Sequence, residues 1–184
     1  MIDSLLSASN IYRLGEGLGI TLFVSFVSIG LSIVFGSLIG LCMLMRSVLV
    51  RVVCRLYLEF VRIVPILALL YVCYFGLPQA MDIHINNIFV GILVFSLWGS
   101  AEMADLVRGA FSSISNHQRE SALSLGLNWI KTQIFVILPQ ATTRLIPGSI
   151  NLFTRIIKTT SLLLFIGVGD VFFVARQIIE ANHT

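Results

Sequence analysis

Between Leu18 and Met45 the chain runs for 28 residues without one charged side chain. A helix crosses the hydrocarbon core of a bilayer in about 20 residues, so this stretch is long enough to span. It is too long for the apolar core of a secretory leader, and no basic cluster precedes it. The composition points the same way: 57% of residues are hydrophobic and 11% are charged, where a soluble domain carries about 25% charge. An ordinary soluble enzyme is excluded, and the chain is predicted to be an all-α integral membrane protein.

Two more uncharged stretches of 19 residues, Ile63 to Met81 and Ile83 to Ala101, follow the first. Their junction at Asp82 lies within "GLPQAMDIHINN", whose Gly, Pro and Asn residues predict a turn. A mixed region, Arg108 to Lys131, comes next. It is followed by a weaker apolar stretch interrupted by Pro139, Arg144 and Pro147, and by a last one, Thr159 to Ala175, that contains Asp170. Basic residues concentrate in two places: Arg46, Arg51 and Arg55 after the first span, and Arg108, Arg119, Lys131 and Arg144 after the third. Loops rich in Lys and Arg stay on the cytoplasmic side, which predicts an external N-terminus and two cytoplasmic segments. The net charge of +3 requires no nucleic-acid partner. Cys42, Cys54 and Cys73 have no spacing that suggests a metal or redox pair, and they are expected to act as small hydrophobes.

In the first span Ser28, Ser32, Gly36 and Gly40 recur every four residues, which puts small side chains on one helix face. That face suits a subunit or gate interface, or packing inside one bundle. The segment "SNHQRESALSLG" predicts a short helix. Ser115 and Gln118 have capping-box spacing, Ala122, Leu123 and Leu125 make a small apolar face, and Gly126 suits the left-handed position after a helix end. Asn128 is placed to cap a second helix, which Pro139 would terminate or kink. Two short helices joined at a glycine make a compact polar knob, small enough to enter a groove on another protein.

The spacing Glu120-Ser121-Ala122, then Gly126, then Val136-Ile137-Leu138-Pro139 resembles the EAA loop of ABC importer permeases. The likeness extends to the polar-amino-acid permeases through Arg108, Gly109, Ser113 and Gln118, "LPQA" at Leu138 to Ala141, Asn151 to Phe153, and "IKTTSL". Upstream it includes Tyr57, Glu59, Arg62, Pro65 and Tyr74 to Pro78. The resemblance implies a multi-span helical bundle of the MetI-like type over residues 1–184, in a prokaryotic cytoplasmic membrane. Within it, 108–139 would be the cytoplasmic coupling loop, with Glu120, Ser121, Ala122, Gly126, Leu138 and Pro139 as the residues that meet an ATPase. It further implies ABC ATPase subunits as partners, a second permease copy or homologue, an extracytoplasmic substrate-binding protein and a polar amino acid as cargo. No G-x-x-x-x-G-K-[ST] phosphate loop occurs in the sequence, so ATP would be bound by a partner, with no cofactor in this chain. Members of the family continue into one further span, so the final span is expected to be missing here. Their 159–175 equivalent is a gate region of short helices.

Charges near bilayer depth cost roughly 2.5–3.5 kcal/mol each and therefore line cavities or pair. Glu59 and Arg62, three apart, can neutralise each other on one helix face. Pro65 follows about a turn later, where a broken helix frees backbone groups. Glu102, Asp105 and Arg108 make an acidic-to-basic run expected to organise the base of the loop. Arg155 and Lys158 lie beside Thr159, Thr160 and Ser161, which resemble the family's substrate-adjacent gate. The candidate pathway is therefore Arg62, Pro65, Asn151, Arg155, Lys158, Thr159, Thr160 and Ser161. Where the family has an Asp this chain has Thr159, so two cations lack a nearby anion and a neutral or acidic cargo is expected. Two other classes remain open: a non-transporting assembly subunit of a heterodimer, and a carrier or channel that needs no ATPase.

Overall fold

The computed structural model describes residues 8–82 and 84–181. Its elements are α1 (Ala8–Cys42), α2 (Val48–Ile63), α3 (Ile66–Tyr71), a π segment (Val72–Gly76), α4 (Leu77–Met81) and α5 (Asn87–Ser112). They continue with α6 (Asn116–Ser124), α7 (Trp129–Thr132), a second π segment (Gln133–Ile137), α8 (Leu138–Thr159), a 3-10 segment (Thr160–Ile166) and α9 (Val171–Ala181). No strand occurs among the described residues. Three helical runs, Ala8–Cys42, Asn87–Ser112 and Trp129–Ile166, are long and apolar enough to cross a membrane; the bent pair Val48–Ile63 and Ile66–Ala80 makes a fourth if it counts as one span.

The second span departs from expectation. Helix begins at Val48, so Arg51 and Arg55 sit on α2 rather than in a loop, and the break comes at Val64–Pro65. Proline disfavours helical backbone in the residue before it, which places the break where the sequence put it. Asp82 ends α4 in the left-handed region (φ 52°) and its N–H donates to the Pro78 carbonyl, in agreement with the predicted turn. The last apolar stretch is divided by a turn at Gly167 (φ 70°) into short helical pieces.

Pro139 does not end its helix. Leu77-Pro78-Gln79-Ala80 and Leu138-Pro139-Gln140-Ala141 are the same four residues, and each begins just after a π segment. A proline has no N–H to give the carbonyl four residues back, and its ring clashes with that carbonyl. In both copies the preceding leucine donates five residues back, Leu77 to the Val72 carbonyl and Leu138 to the Gln133 carbonyl. The widened turn lets helix continue through the proline.

α1 is arranged inside out by soluble standards. Ser25, Ser28 and Ser32 are wholly buried, whereas Phe26 is 63% exposed. Lipid tails are as apolar as leucine, so helices in a bilayer gain from close backbone approach rather than from hiding hydrophobes.

The chain divides into two compact units. One comprises Met1–Gly30, Val64–Leu97 and Thr154–Thr184; the other, Leu31–Ile63 and Trp98–Phe153. The first has a core of Val24, Leu70, Val94, Phe95 and Leu163. There α1 grips the turn before α9: a Cβ at Gly17 would stand 3.0 Å from the Asp170 backbone, and the Val171 N–H donates to Thr21 Oγ1 at 3.2 Å. In the second unit Gly36 and Gly40 lie against α5. A Cβ at Gly36 would be 2.5 Å from Met103 Cβ, and one at Gly40 would be 2.7 Å from the Ala104 carbonyl oxygen. At these positions the small-residue face packs within the chain, the second of its two expected uses.

Candidate functional site

The polar knob forms as the sequence indicated, with one exception. Gly126 adopts φ 80° and closes a two-bond helix end: its N–H donates to the Leu123 carbonyl (2.9 Å) and the Leu127 N–H to the Ala122 carbonyl (3.1 Å). This Schellman pattern needs a left-handed residue at its centre, which favours glycine. Asn128 Oδ1 accepts from the Lys131 N–H at 2.9 Å and caps α7. The exception is Ser115, which stands at the α6 N-cap with extended backbone but makes no side-chain cap. The side chain of its capping-box partner is engaged elsewhere, with Gln118 Oε1 accepting from Gln140 Nε2 on α8 at 3.1 Å.

That contact is one of two that fasten the knob to α8. In the other, Arg144 Nη1 donates to the Ser113 carbonyl (2.6 Å) and to Ser113 Oγ (2.7 Å). Beneath them Ile114, Ile137 and Ala141 are buried together. Of the three apolar residues expected on the α6 face only Ala122 is buried; Leu123 and Leu125 are 55% and 82% exposed. Glu120 and Ser121 are exposed, and Glu120 lies 3.6 Å from His117 Nδ1. Glu120, Ser121 and the residues from Leu123 to Gly126 therefore present an outward surface, with Ala122 turned inward, and Leu138 and Pro139 begin α8.

A second constellation joins α2 to α5. Arg62 pairs with Glu102 at 3.2 Å and with Asp105 at 3.3 Å, and Arg108 pairs with Asp105 at 2.7 Å. The expected Glu59–Arg62 pair is not made: the facing helix offers Arg62 two carboxylates. Tyr57 shares a 2.8 Å hydrogen bond with Ser100 across the same two helices. The run Glu102, Asp105, Arg108 thus fixes α2 to α5.

The candidate pathway residues divide between the units, Arg62 and Asn151 in one and the others in the second. On α8, Asn151, Arg155 and Lys158 are spaced four and three apart and are exposed, which puts them on one helix face. Thr159, Thr160 and Ser161 donate their hydroxyl protons to the carbonyls of Arg155 (2.7 Å), Ile157 (2.6 Å) and Lys158 (3.0 Å). As donors these hydroxyls are spent on their own helix, and they keep acceptor capacity. Beyond Thr159 the helix tightens into 3-10 turns. No group of three or more potential metal ligands occurs among the described residues.

Sequence reasoning missed Gln118, Gln140 and Arg144 as the fasteners of the knob. Arg144 had left a signal: a lone cation inside an apolar stretch needs a reason to be there.

The sequence pattern described as the binding-protein-dependent transport system inner membrane component matches residues 32–183, and the chain belongs to that family. The probable amino-acid ABC transporter permease protein YckA of Bacillus subtilis is 36% identical over 156 residues, which cover 85% of this chain and 69% of that protein. The glutamine transport system permease protein GlnP of Escherichia coli is 32% identical over 168 residues, 91% of this chain and 77% of that one. A solved amino acid ABC transporter, crystallised with histidines, superposes with a TM-score of 0.89 over 100% of this chain and 86% of its own, at 24% identity. That likeness speaks for the fold, which is the MetI-like permease bundle expected from the sequence.

Proposed function

We propose that this chain is a permease subunit of an ATP-driven importer for a polar amino acid, and that the 108–139 segment couples it to a cytoplasmic ATPase. The observation that carries this reading is the knob itself. α6 is closed at Gly126, α7 is capped by Asn128, and both are fastened to α8 through Gln118–Gln140 and Ser113–Arg144. A push on Glu120, Ser121, Ala122 or Gly126 would reach Leu138 and Pro139 and then the helix that bears Asn151, Arg155 and Lys158. The ATPase would bind the nucleotide, an extracytoplasmic binding protein would deliver the cargo, and a second permease copy or homologue would complete the pathway. The N-terminus would lie outside. A neutral or acidic amino acid remains the expected cargo, since Thr159 stands where the family has an Asp.

Reconstitution tests it. The complex copurified with its ATPase, placed in proteoliposomes with the binding protein, should take up an amino acid only when ATP is supplied. Uptake that survives ATP depletion while an ion gradient is maintained would refute the reading in favour of a carrier. Assembly without any uptake would favour a non-transporting subunit.

A further inference from the structure

The uncharged run that opens at Leu18 ends at Arg46, and α2 begins two residues later. Arg46 therefore marks where the chain leaves hydrocarbon, and the first turns of α2 stay close to that boundary. Three guanidinium groups gather there. Arg51 Nη2 donates to the Arg46 carbonyl at 3.3 Å, and Arg55 follows Arg51 by four residues on the same helix face. All three arginines are exposed, and none forms an ion pair among the described residues.

Little in the chain stands ready to neutralise them. No Asp or Glu occurs between Glu16 and Glu59. Glu59 lies one turn beyond Arg55, but a cation N-terminal to an anion at i,i+4 is the weaker order. On its other side Arg55 borders a cavity of about 280 Å³ in which Arg55, Arg62 and Arg108 outnumber Glu59 and Asp105. Asp105 already holds two arginines there. The positive surplus of α2 is left for something outside the chain.

The same stretch exposes apolar surface. Val48 and Leu49 are 69% and 75% exposed, and Val52, Val53 and Leu56 are exposed beside them. A groove of about 210 Å³ is lined by two valines and two arginines, Val48, Val52, Arg51 and Arg55. Water suits the arginines alone, and hydrocarbon the valines alone. A phospholipid brings both surroundings in one molecule, a phosphate for the guanidinium groups and an acyl chain for the valines. We propose that this face of α2 binds an anionic phospholipid, with its phosphate on Arg51 and Arg55, Arg46 beside it, and the first carbons of an acyl chain over Val48 and Val52. Arg55 lies about 10 Å along the axis from Val48, a depth from which a long arginine side chain reaches the phosphate layer. A zwitterionic lipid would add its own ammonium to three cations, so the head group is anionic overall. Such a site requires only that α1 spans a bilayer; transport does not enter.

Native mass spectrometry tests the site. The full chain, purified in detergent with any subunits that accompany it, is titrated with phosphatidylglycerol or with phosphatidylcholine of the same acyl chains. Phosphatidylglycerol should bind at least about tenfold more tightly, and less so as salt is raised. Arg51→Gln and Arg55→Gln should each weaken phosphatidylglycerol about fivefold and leave phosphatidylcholine unchanged, whereas a misfolded variant would lose both. Arg51→Lys and Arg55→Lys should retain more than the glutamine variants, because the charge stays while the planar fork is lost. Arg176→Gln removes a cation already paired with Glu180 at 2.7 Å and should change nothing. Inorganic phosphate, without an acyl chain, should not displace the lipid. Three results would overturn the site: equal affinity for the two lipids, phosphatidylglycerol binding unchanged in both glutamine variants, or displacement by inorganic phosphate, which would make the groove a site for the free anion.

Discussion

At the scale of single residues, the knob depends on one dihedral angle. A Cβ at Gly126 would meet no atom of the chain within 4 Å, so the cost of a side chain there is conformational. At φ 80° a β-branched residue is a true outlier, whereas asparagine visits this region readily. Gly126→Val should therefore lower stability by about 1–2 kcal/mol and abolish amino-acid-stimulated ATP hydrolysis, while Gly126→Asn keeps most of it. Thermal unfolding and ATPase assays on the assembled complex would read both, and equal behaviour of the two variants would count against a coupling role. Asp170 offers a second residue-scale test. It is fully buried, its Oδ1 accepts from the Phe173 N–H at 3.0 Å, and its Oδ2 has no partner among the described residues. Asparagine can make the same cap, so Asp170→Asn should be nearly neutral and Asp170→Ala should cost about 1 kcal/mol. The difference in melting temperature between the two variants measures the cap.

Elements were legible to different degrees, for physical reasons. The knob could be read because a left-handed glycine and a capping asparagine are local requirements, written in neighbouring residues. The small face of α1 was legible too, but not its partner: which helix lies against Gly36 and Gly40 is a matter of tertiary packing. Here packing gives a clear expectation. Gly36→Ala and Gly40→Ala each force a methyl group into α5, and overpacking of this kind costs about 1–3 kcal/mol. Thermal unfolding in detergent should show both losses, whereas Gly15→Ala, with no atom within 4 Å of the added carbon, should show none. Arg62 was misread because Glu59 is its neighbour in sequence, while Glu102 and Asp105 become neighbours only when α5 packs on α2. The π segments escaped notice although "LPQA" stands twice in the chain, since an i to i+5 register leaves no periodicity of side chains to detect.

For the whole molecule, the predictions concern sidedness and cargo. In a background free of Cys42, Cys54 and Cys73, single cysteines replacing Arg119 and Asp82 should be labelled by impermeant reagents from opposite faces of the membrane. Labelling from one face would remove the proposed topology, and with it the docking of the knob to a cytoplasmic motor. Cargo charge follows from the proposed gate. A cationic side chain near Arg155 and Lys158 would meet two like charges, which is costly unless an anion pairs with it. Glutamine and glutamate should therefore outcompete arginine for uptake by the reconstituted complex, and Thr159→Asp should shift the order toward arginine. Arginine winning in the unmodified protein would overturn the cargo expectation.

The turn at Gln133–Ile137 has a consequence for insertions and deletions. A π turn takes in one residue more than an α turn, and each α-helical residue advances the side-chain direction by about 100°. Here the extra residue lets Leu138 donate past the turn and helix continue through Pro139. Loss of a single codon within 133–137 would leave only an α turn at that place, absorbing the deletion but setting the ring of Pro139 against the carbonyl four residues back.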